Sequence, residues 1–281
     1  MKSALNDRIA SFYDASTPLW LETWGEHMHH GHYGPNGEQR KGDHRAQLDM
    51  ISEVLAFAQP TAPVTRVLDA GCGVGGSARL LALRYGAEVR GITLSEVQAE
   101  RGNTLSVRAG LRDSVELSAG DMLAHEAGEP YDLIWSLESA EHIADKRGLL
   151  EHFFGLLRPG GTLALVTWCH RATPPVLDAR ARHVLERICT LYHLPAWVSI
   201  GDYEALARGA GFTEVRSADW SDAVAPFWSA VIRSAVSLRS LRGLLAAGAQ
   251  TVRGAYAMRY MQEGFARGLV RFGVLRMTKP D

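Results

Sequence analysis

The sequence has few cysteines and no arrangement that would pair them. Cys72, Cys169 and Cys189 are the three cysteines among 281 residues, and no two of them form a C-x-x-C pair. An odd and scattered set does not provide the disulfide framework of a small secreted domain. The cysteines therefore indicate a protein of a reducing compartment.

The sequence also has no excess of charge of either sign. Lys and Arg number 30 and Asp and Glu number 31, so the formal net charge is −1 at pH 7. Nucleic acids attract proteins through basic surfaces, and this composition gives no support to such a partner. We therefore expect no nucleic-acid ligand. The composition does not indicate whether the protein is a monomer or an oligomer.

Long apolar runs are missing as well. None reaches the roughly 20 residues that a helix needs to cross a bilayer. Four arginines with leucines among them give the stretch 233–253 a basic edge, and such an edge is typical of helices that lie on a membrane surface. The sequence thus predicts at most peripheral membrane contact.

What the sequence does have is a glycine-rich turn after a buried strand. Residues 65–70 read as the strand, with Asp69 near its end, and glycines follow before a helix begins. Glycines let the backbone approach a ligand closely and tolerate positive φ, as nucleotide sites require. Because Gly71, Gly73 and Gly76 can be forced into a dinucleotide fingerprint, the glycines alone fit two classes of site.

The end of the next strand separates these two classes. A dinucleotide-binding enzyme is expected to have Asp or Glu there to bind a ribose hydroxyl. Strand 87–93 ends instead in Thr93, and Gln98 lies one turn into the following helix. The Gly120-Asp121 turn after a third strand also counts against a dinucleotide-dependent oxidoreductase.

Strands and helices alternate from residue 65 to about residue 170, which predicts βαβ units and a mostly parallel sheet. Two more strands are predicted near 213–218 and 270–277, and the long aromatic-rich connection between them is expected to have packing of its own. We predict an α/β fold in four parts: an N-terminal helical segment (1–60), an α/β core (61–219), a helical substrate cap (220–266) and a final core strand (267–281).

Several motifs occur in the order found in class I S-adenosylmethionine-dependent methyltransferases, which the chain resembles. They are Asp69-x-Gly71-x-Gly73-x-Gly75, Gly120-Asp121, Tyr131-Asp-Leu-Ile134 and Leu157-Arg-Pro-Gly-Gly161. Thr93 replaces the acid that is usual at the second strand end of this class, as it does in the cyclopropane-synthase-like branch. Further segments resemble the branch of γ-tocopherol C-methyltransferases, which is related to the cyclopropane-fatty-acid synthases. These are Trp24-Gly-Glu-His-Met-His-His-Gly31, Glu138-Ser-Ala-Glu-His142, Thr167-Trp-Cys-His-Arg171 and Val224-Ala-Pro-Phe-Trp228.

The resemblance implies a Rossmann-like, seven-stranded enzyme that uses S-adenosyl-L-methionine, and it suggests where the cofactor binds. Glycines would line the methionine moiety, the second strand end would face the ribose, and the third would bracket the adenine. The implied cofactor-binding residues are Tyr13, Asp69, Gly71, Gly73, Thr93, Leu94, Gln98, Asp121, Met122 and Glu138. The structural alternatives are simple turns for the glycines, an N-cap or structural carboxylate for Asp69 and a core aromatic for Tyr13.

The resemblance also bears on location. Plant tocopherol enzymes of this branch carry plastid targeting extensions, and the first eight residues here have neither an Arg- and Ser-rich transit composition nor an apolar secretory segment. The sequence therefore predicts a bacterial cytoplasmic protein.

Two groups of residues are candidates for proton transfer from the acceptor. Glu141 and His142 follow the fourth strand, and His29 and His30 belong to a histidine-rich segment. A histidine has a pKa near neutrality and can act as a base, although His142 at a helix start can equally bond a backbone carbonyl. The histidines lack a familiar zinc spacing, so we expect no metal site.

The aromatic residues of the predicted cap suit a hydrophobic small-molecule acceptor. We predict O-methylation of an enol or phenol hydroxyl in natural-product biosynthesis (EC 2.1.1.-), with a His or Glu base. The alternatives are C-methylation of a tocopherol-type phenol ring and, less favoured, N-methylation of an alkaloid. One base serves attack through oxygen or through carbon, so the catalytic residues do not separate those two outcomes.

Overall fold

The computed structural model describes residues 4–60, 63–228 and 258–281. Within these ranges, seven strands form one sheet in the order β3-β2-β1-β4-β5-β7-β6. The strands are β1 (Arg66–Ala70), β2 (Glu88–Thr93), β3 (Val115–Ala119), β4 (Tyr131–Leu137), β5 (Leu157–His170), β6 (Thr213–Asp219) and β7 (Val270–Thr278). Strands β1 to β5 are parallel, whereas β7 runs antiparallel to both β5 and β6.

Helices cover the sheet and precede it. They are α1 (Ala4–Trp24), α2 (Asp43–Ala58), α3 (Gly76–Tyr85), α4 (Glu96–Arg108), α5 (Lys146–Leu156), α6 (Ala179–Tyr192), α7 (Ile200–Gly209) and α8 (Ser221–Val224). Residues 258–266 are also helical. Among the described residues, no helix has both the length and the apolar character needed to cross a membrane.

The core lies on both faces of the central strands. Strand β4 is buried at all seven positions, as expected of a strand covered on both sides in a parallel sheet. Successive side chains of a strand point to opposite faces. Accordingly, Val67 and Trp135 pack in one apolar cluster, while Leu68 and Ile134 pack in the other.

The strand order also determines where a ligand can bind. The chain builds outward from β1 through β2 to β3 and then returns to place β4 on the other side of β1. Ligands of open α/β sheets bind beyond the carboxyl ends of the strands at such a switch point. The glycine turn after β1 and the turn after β4 both lie there, next to each other.

The predicted fold class is confirmed, and one local prediction needs correction. Residues 1–60 were predicted to be helical throughout, but helix is absent from residues 25–42. Their backbone groups bond to other segments instead: the His32 N–H donates to the Ala46 carbonyl and the Tyr33 N–H to the Ala223 carbonyl. Tertiary contacts therefore replace the helix in this histidine-rich segment.

The division into four parts stays a prediction. Most of the predicted substrate cap, residues 229–257, lies outside the described residues, and so does the basic stretch 233–253. The described ends of the cap are α8, the helical residues 226–228 and the helical residues 258–266. Their aromatic side chains, among them Trp228, Tyr260 and Phe265, pack in one buried apolar cluster.

Candidate active site

The glycine turn after β1 combines a close contact with an open space. Gly71 has φ +85°, and a Cβ built on it would lie 2.2 Å from Cβ of Ser139. Gly73 has φ +54°, and a Cβ there would meet no atom within 4 Å. The turn is thus packed against the segment after β4 on one side and leaves room for a ligand on the other.

Asp69 lies below this turn and is 2% exposed. Burial raises the pKa of its carboxyl to about 7, against the opposing effects of the Ala78 N–H and the charge of Arg79. Ala78 belongs to the first turn of α3, so the carboxyl faces the start of that helix. Its Oδ2 atom is buried and has no hydrogen-bond partner within the described residues. A role in cofactor binding stays a prediction.

The end of β2 holds a connected set of polar side chains. The Thr93 hydroxyl donates to Oε1 of Gln98 at 2.6 Å, and both residues are buried. Ser95 caps α4 by accepting the Gln98 N–H at 3.0 Å, and its own hydroxyl bonds to Asp14. Leu94, between them, is half-buried. The three residues predicted to face a ribose thus lie together at one strand end.

The end of β3 is arranged in a similar way. Asp121 caps a short 3-10 turn by accepting the Leu123 N–H at 3.0 Å. Its second carboxylate oxygen accepts a hydrogen bond of 2.7 Å from the side-chain amide of Asn6. Met122 is 9% exposed. Asp121 and Met122 therefore lie at the end of β3, and their contact with an adenine ring stays a prediction.

Helix α1 crosses all of these strand ends. Asn6 reaches Asp121 after β3, Asp14 reaches Ser95 after β2, and the Tyr13 hydroxyl lies 3.2 Å from Nε2 of His142 after β4. Burial, together with the nearby carboxyls of Glu141 and Glu138, raises the pKa of Tyr13. The sequence predicted Tyr13 at the site but missed Asn6, Asp14 and Ser95, of which only Ser95 gave a signal, as a helix cap.

The turn after β4 carries the candidate catalytic groups. Ser139 donates its hydroxyl to the Ala70 carbonyl at 2.7 Å, which ties this turn to the glycine turn. Glu138, the residue before it, has φ +54°. A non-glycine residue in this region is strained, and such strain persists where the surroundings determine the conformation, often at functional sites.

Glu138 forms two hydrogen bonds with His30. One carboxylate oxygen accepts the His30 backbone N–H at 2.7 Å, and the other lies 2.7 Å from Nδ1 of the His30 ring. The indole N–H of Trp168 adds a third hydrogen bond at 3.1 Å. Burial alone would raise the pKa of Glu138, but the His30 ring and these hydrogen bonds hold it below its usual value. Glu138 is therefore an ionised, fully partnered carboxylate.

Glu141 has the opposite charge state. It is 2% exposed, and its carboxyl accepts the Thr167 hydroxyl at 2.9 Å. Burial, and then repulsion by Glu138, raises the pKa of Glu141 to about 8. At neutral pH this carboxyl carries a proton and is not a base.

His142 is also held in its uncharged form. Burial, with the nearby charge of Lys146, lowers its pKa to about 4. Its Nε2 atom lies beside the Tyr13 hydroxyl, and its Nδ1 atom is buried with no partner among residues 4–60, 63–228 and 258–281. A neutral His142 can accept a proton, although the buried imidazolium that results is disfavoured.

The ring of His29, another predicted catalytic residue, bonds within the histidine-rich segment and not to Glu138. Nδ1 of His29 lies 2.9 Å from the His30 carbonyl, and burial lowers the pKa of His29. The side-chain amide of Gln47 donates to the carbonyls of His27 at 2.6 Å and His29 at 3.2 Å, which anchors the segment to α2. Sequence reasoning missed Gln47, because a single glutamine in an amphipathic helix gives no signal.

Aromatic rings surround His30. The ring centroids lie 4.3 to 6.4 Å from that of His30, within the usual range for interacting aromatic pairs. They belong to Phe227 (4.3 Å), Trp228 (5.1 Å), Phe272 (5.4 Å), Trp168 (5.8 Å) and Phe265 (6.4 Å). We call these five rings the aromatic box.

The sheet order with its antiparallel seventh strand, the glycine turn after β1 and the polar ends of β2 and β3 together define a class I S-adenosylmethionine-dependent methyltransferase. Residues 43–217, more than half of the chain, match the model of the methyltransferase domain family. The structure also resembles the cyclopropane synthase MmaA2 of Mycobacterium tuberculosis, with a TM-score of 0.84 and 19% identity over 99% of each chain.

The relatives identify the branch. A probable tocopherol O-methyltransferase, chloroplastic, of Oryza sativa subsp. japonica is 44% identical over 99% of this chain and 79% of its own length. The tocopherol O-methyltransferase, chloroplastic, of Arabidopsis thaliana is 41% identical over 99% of this chain and 83% of its own length. The chain belongs to the tocopherol methyltransferase family, as the sequence motifs predicted.

These relatives overturn the predicted location. Both are chloroplastic proteins, so they point to the chloroplast and contradict a bacterial cytoplasmic protein. The prediction rested on the missing targeting composition at the start of the sequence. Targeting segments are removed from mature proteins, so such an absence does not report where a chain works.

The residues fit S-adenosyl-L-methionine, the cofactor of this class. A solved structure of the same fold, the geranyl diphosphate C-methyltransferase of Streptomyces coelicolor A3(2), holds S-adenosyl-L-homocysteine. Its TM-score is 0.77 at 18% identity, over 99% of this chain and 98% of that one. Here the open space beside Gly73 can take the methionine moiety, and the ends of β2 and β3 offer polar groups for the nucleoside.

When bound, this cofactor supplies an electrophilic methyl carbon. Methyl transfer requires donor and acceptor to be held in line. Helix α1 covers the strand ends beyond which the donor would bind. Removal of an acceptor proton by the groups around the turn after β4 stays a prediction.

Proposed function

We propose that this protein transfers the methyl group of S-adenosyl-L-methionine to a ring carbon of a tocopherol-type phenol. The observation that carries the proposal is the identity of 41–44% to tocopherol methyltransferases over 99% of the chain. Similarity of this extent includes the segments that form the acceptor side of the site, and not only the cofactor-binding core.

The site's chemistry is consistent with a phenol acceptor. The aromatic box offers apolar surface for a ring, and pockets for small molecules are mostly apolar with a few placed polar groups. A phenol that loses its proton shares the negative charge between its oxygen and its ring carbons. A base beside the box can therefore prepare either atom for methyl transfer.

Methylation of an enol or phenol hydroxyl, which the sequence favoured first, has less support than the tocopherol-type alternative. The names of the relatives contain the term O-methyltransferase, but tocopherol is the acceptor that both names give. We place the ring carbon first because the motifs resemble the γ-tocopherol C-methyltransferases, which methylate the ring. The position of the new methyl group is what an experiment must determine.

The test is turnover with S-adenosyl-L-methionine and two acceptors, a γ-tocopherol-type chromanol and a small enol or phenol of polyketide type. Products are identified by mass spectrometry and NMR. A methyl signal on a ring carbon of the chromanol is the expected result, and a methoxy signal would contradict it in favour of O-methylation. The variant Gly71→Leu, with its cofactor turn blocked, serves as the inactive control.

A further inference from the structure

The aromatic box encloses two polar atoms for which the described residues provide no partner. His30 is 2% exposed, and its Nε2 atom is buried without a hydrogen bond in the part of the chain that the structure describes. The indole Nε1 of Trp228, one wall of the box, is in the same condition. Buried polar atoms are usually hydrogen-bonded, so each exception needs an explanation. A ligand hydroxyl inside the box would provide one.

The partner of the other ring nitrogen determines what Nε2 can do. Glu138 is ionised, and a carboxylate only accepts hydrogen bonds. Nδ1 of His30 therefore carries the proton that points to Glu138, so Nε2 is the ring nitrogen that can accept a proton from a ligand. The same arrangement, in which a buried carboxylate fixes the tautomer and stabilises the imidazolium, prepares the histidine base of hydrolytic triads.

The pair lies next to the cofactor turn. Glu138 directly precedes Ser139, whose side chain packs against Gly71 and bonds to the Ala70 carbonyl. The strained backbone at Glu138 turns its carboxylate toward the histidine-rich segment. The adjacent Glu141–His142 pair is less suited to proton removal, because Glu141 carries a proton and burial disfavours a charged His142.

We propose that His30 is the catalytic base that removes the hydroxyl proton of the acceptor, and that Glu138 is the residue that positions it. This inference rests on the proposed function, because only an acceptor with an ionisable hydroxyl needs such a base. It gives the aromatic box the task of holding the acceptor ring.

The proton balance of the reaction is simple. The O–H bond of the phenol breaks, the proton moves to Nε2 of His30, and the electron pair stays on the phenolate. A ring carbon then bonds to the methyl carbon while the carbon–sulfur bond breaks and its electrons remain on sulfur. The ring C–H proton leaves to water, the phenol oxygen regains the proton from His30, and the aromatic ring is restored.

A pair of acceptors tests this assignment. One is the γ-tocopherol-type chromanol, and the other is a fluorinated counterpart whose hydroxyl is already ionised at the assay pH. Single-turnover rates with saturating cofactor are measured for the wild type, His30→Gln, Glu138→Gln, His142→Gln and His44→Gln, and each variant is compared with the wild type on the same acceptor. Calorimetry with S-adenosyl-L-methionine checks that each variant is folded.

For His30→Gln we expect a rate loss of about 10²–10⁴-fold with the chromanol and of less than about tenfold with the ionised acceptor. Glu138→Gln should show the same recovery with a smaller loss, and both should keep their cofactor affinity. His44 is exposed and lies outside the box, so His44→Gln should match the wild type. His142→Gln should slow both acceptors by the same factor.

Equal losses of His30→Gln on both acceptors would overturn the assignment, and so would recovery seen in His142→Gln alone. In either case a wild type that methylates the chromanol leaves the proposed function intact. A wild type that methylates neither phenol would overturn the proposed function and, with it, the role of His30.

Discussion

Two Glu and His pairs lie on either side of one short turn, and their electrostatics are opposite. Glu138 pairs with His30 across 108 positions of sequence at 2.7 Å, and its pKa is lowered. Glu141 adjoins His142 in sequence, yet its pKa is raised to about 8 and that of His142 is lowered to about 4. The pair that is adjacent in sequence is therefore the uncharged one.

The difference follows from the low polarity of the site. Two carboxylates buried close together do not both ionise, because each repels the other's charge. Glu138 keeps its charge because it accepts three hydrogen bonds, one of them from the His30 imidazole. Glu141 has one hydroxyl partner and keeps its proton. One turn thus separates a group able to support a base from one able only to donate or accept a neutral hydrogen bond.

The largest expected effect comes from displacing the turn after β4, which carries the glutamates of both pairs. Gly71→Leu places side-chain atoms where Ser139 packs, at a φ of +85° that leucine rarely adopts. We expect cofactor binding to be lost, because the glycine turn and the turn after β4 separate. Calorimetry with S-adenosyl-L-methionine measures the effect, and undiminished affinity would contradict the assigned cofactor turn.

The matched control for that variant is Gly110→Ala. Gly110 also has a positive φ, of +73°, but a Cβ there meets no atom within 4 Å and the residue is exposed. The change should cost about 1–2 kcal/mol of stability from the left-handed backbone alone. Its cofactor affinity should equal that of the wild type.

The next effect separates the two carboxyls. Glu138→Gln removes a charge, so methyl transfer should slow by about 10²-fold, at the lower end of the range for general-base catalysis and less than in His30→Gln. Glu141→Gln replaces a carboxyl that is protonated at pH 7, and the rate should change by less than about tenfold. Parallel kcat measurements at pH 7 test the comparison. Equal losses would show that the two carboxyls do not differ in charge.

The pH dependence of stability sharpens the same comparison. An unfolded Glu ionises near pH 4.5, whereas folded Glu141 holds its proton to about pH 8. Its contribution is therefore complete below pH 4.5 and is lost as the pH rises through 8, by about 1.4 kcal/mol per pH unit at most. Asp69, with a pKa of about 7, acts in the same direction.

Urea denaturation at pH 6 and pH 8 measures this loss. The free energy of unfolding should fall between the two values in the wild type, and it should fall less in Glu141→Gln, whose amide does not titrate. Identical slopes in both proteins would mean that Glu141 is ionised throughout.

The smallest expected effect comes from a change in helix α1, which covers the site. Tyr13→Phe removes the hydroxyl that lies beside Nε2 of His142. A hydrogen bond of this kind contributes about 0.5–1.5 kcal/mol, so the dissociation constant of S-adenosyl-L-methionine should rise about two- to tenfold. Calorimetry measures this change, with Ser11→Ala, on the exposed side of α1, as the control. An unchanged affinity would make Tyr13 a packing residue only.

The edge of the sheet that carries the predicted cofactor residues could be located from the sequence because its signals are local. A glycine turn must follow its strand directly, and the ends of parallel strands meet at one edge of the sheet. The sequence positions of Gly71, Thr93 and Asp121 therefore suffice to place them at this edge of the sheet. The same locality explains why the strands and the methyltransferase class were predicted correctly.

Asn6, Asp14 and Gln47 could not be found in this way. Each is a single polar residue in a helix, and its importance depends on which distant strand end or loop the helix packs against. The 25–42 segment was predicted as helix for the same reason: its backbone partners come from α2 and α8, and a local pattern does not contain them.

By itself, the sequence determined the fold class, the cofactor and the family, since these depend on short motifs and on the order of strands and helices. Only the tertiary structure decided which glutamate is charged and which histidine it orients. Charge in a buried site depends on burial, on the number of donors and on neighbouring charges. Those are properties of the space around Glu138 and Glu141, where segments far apart in the chain come together.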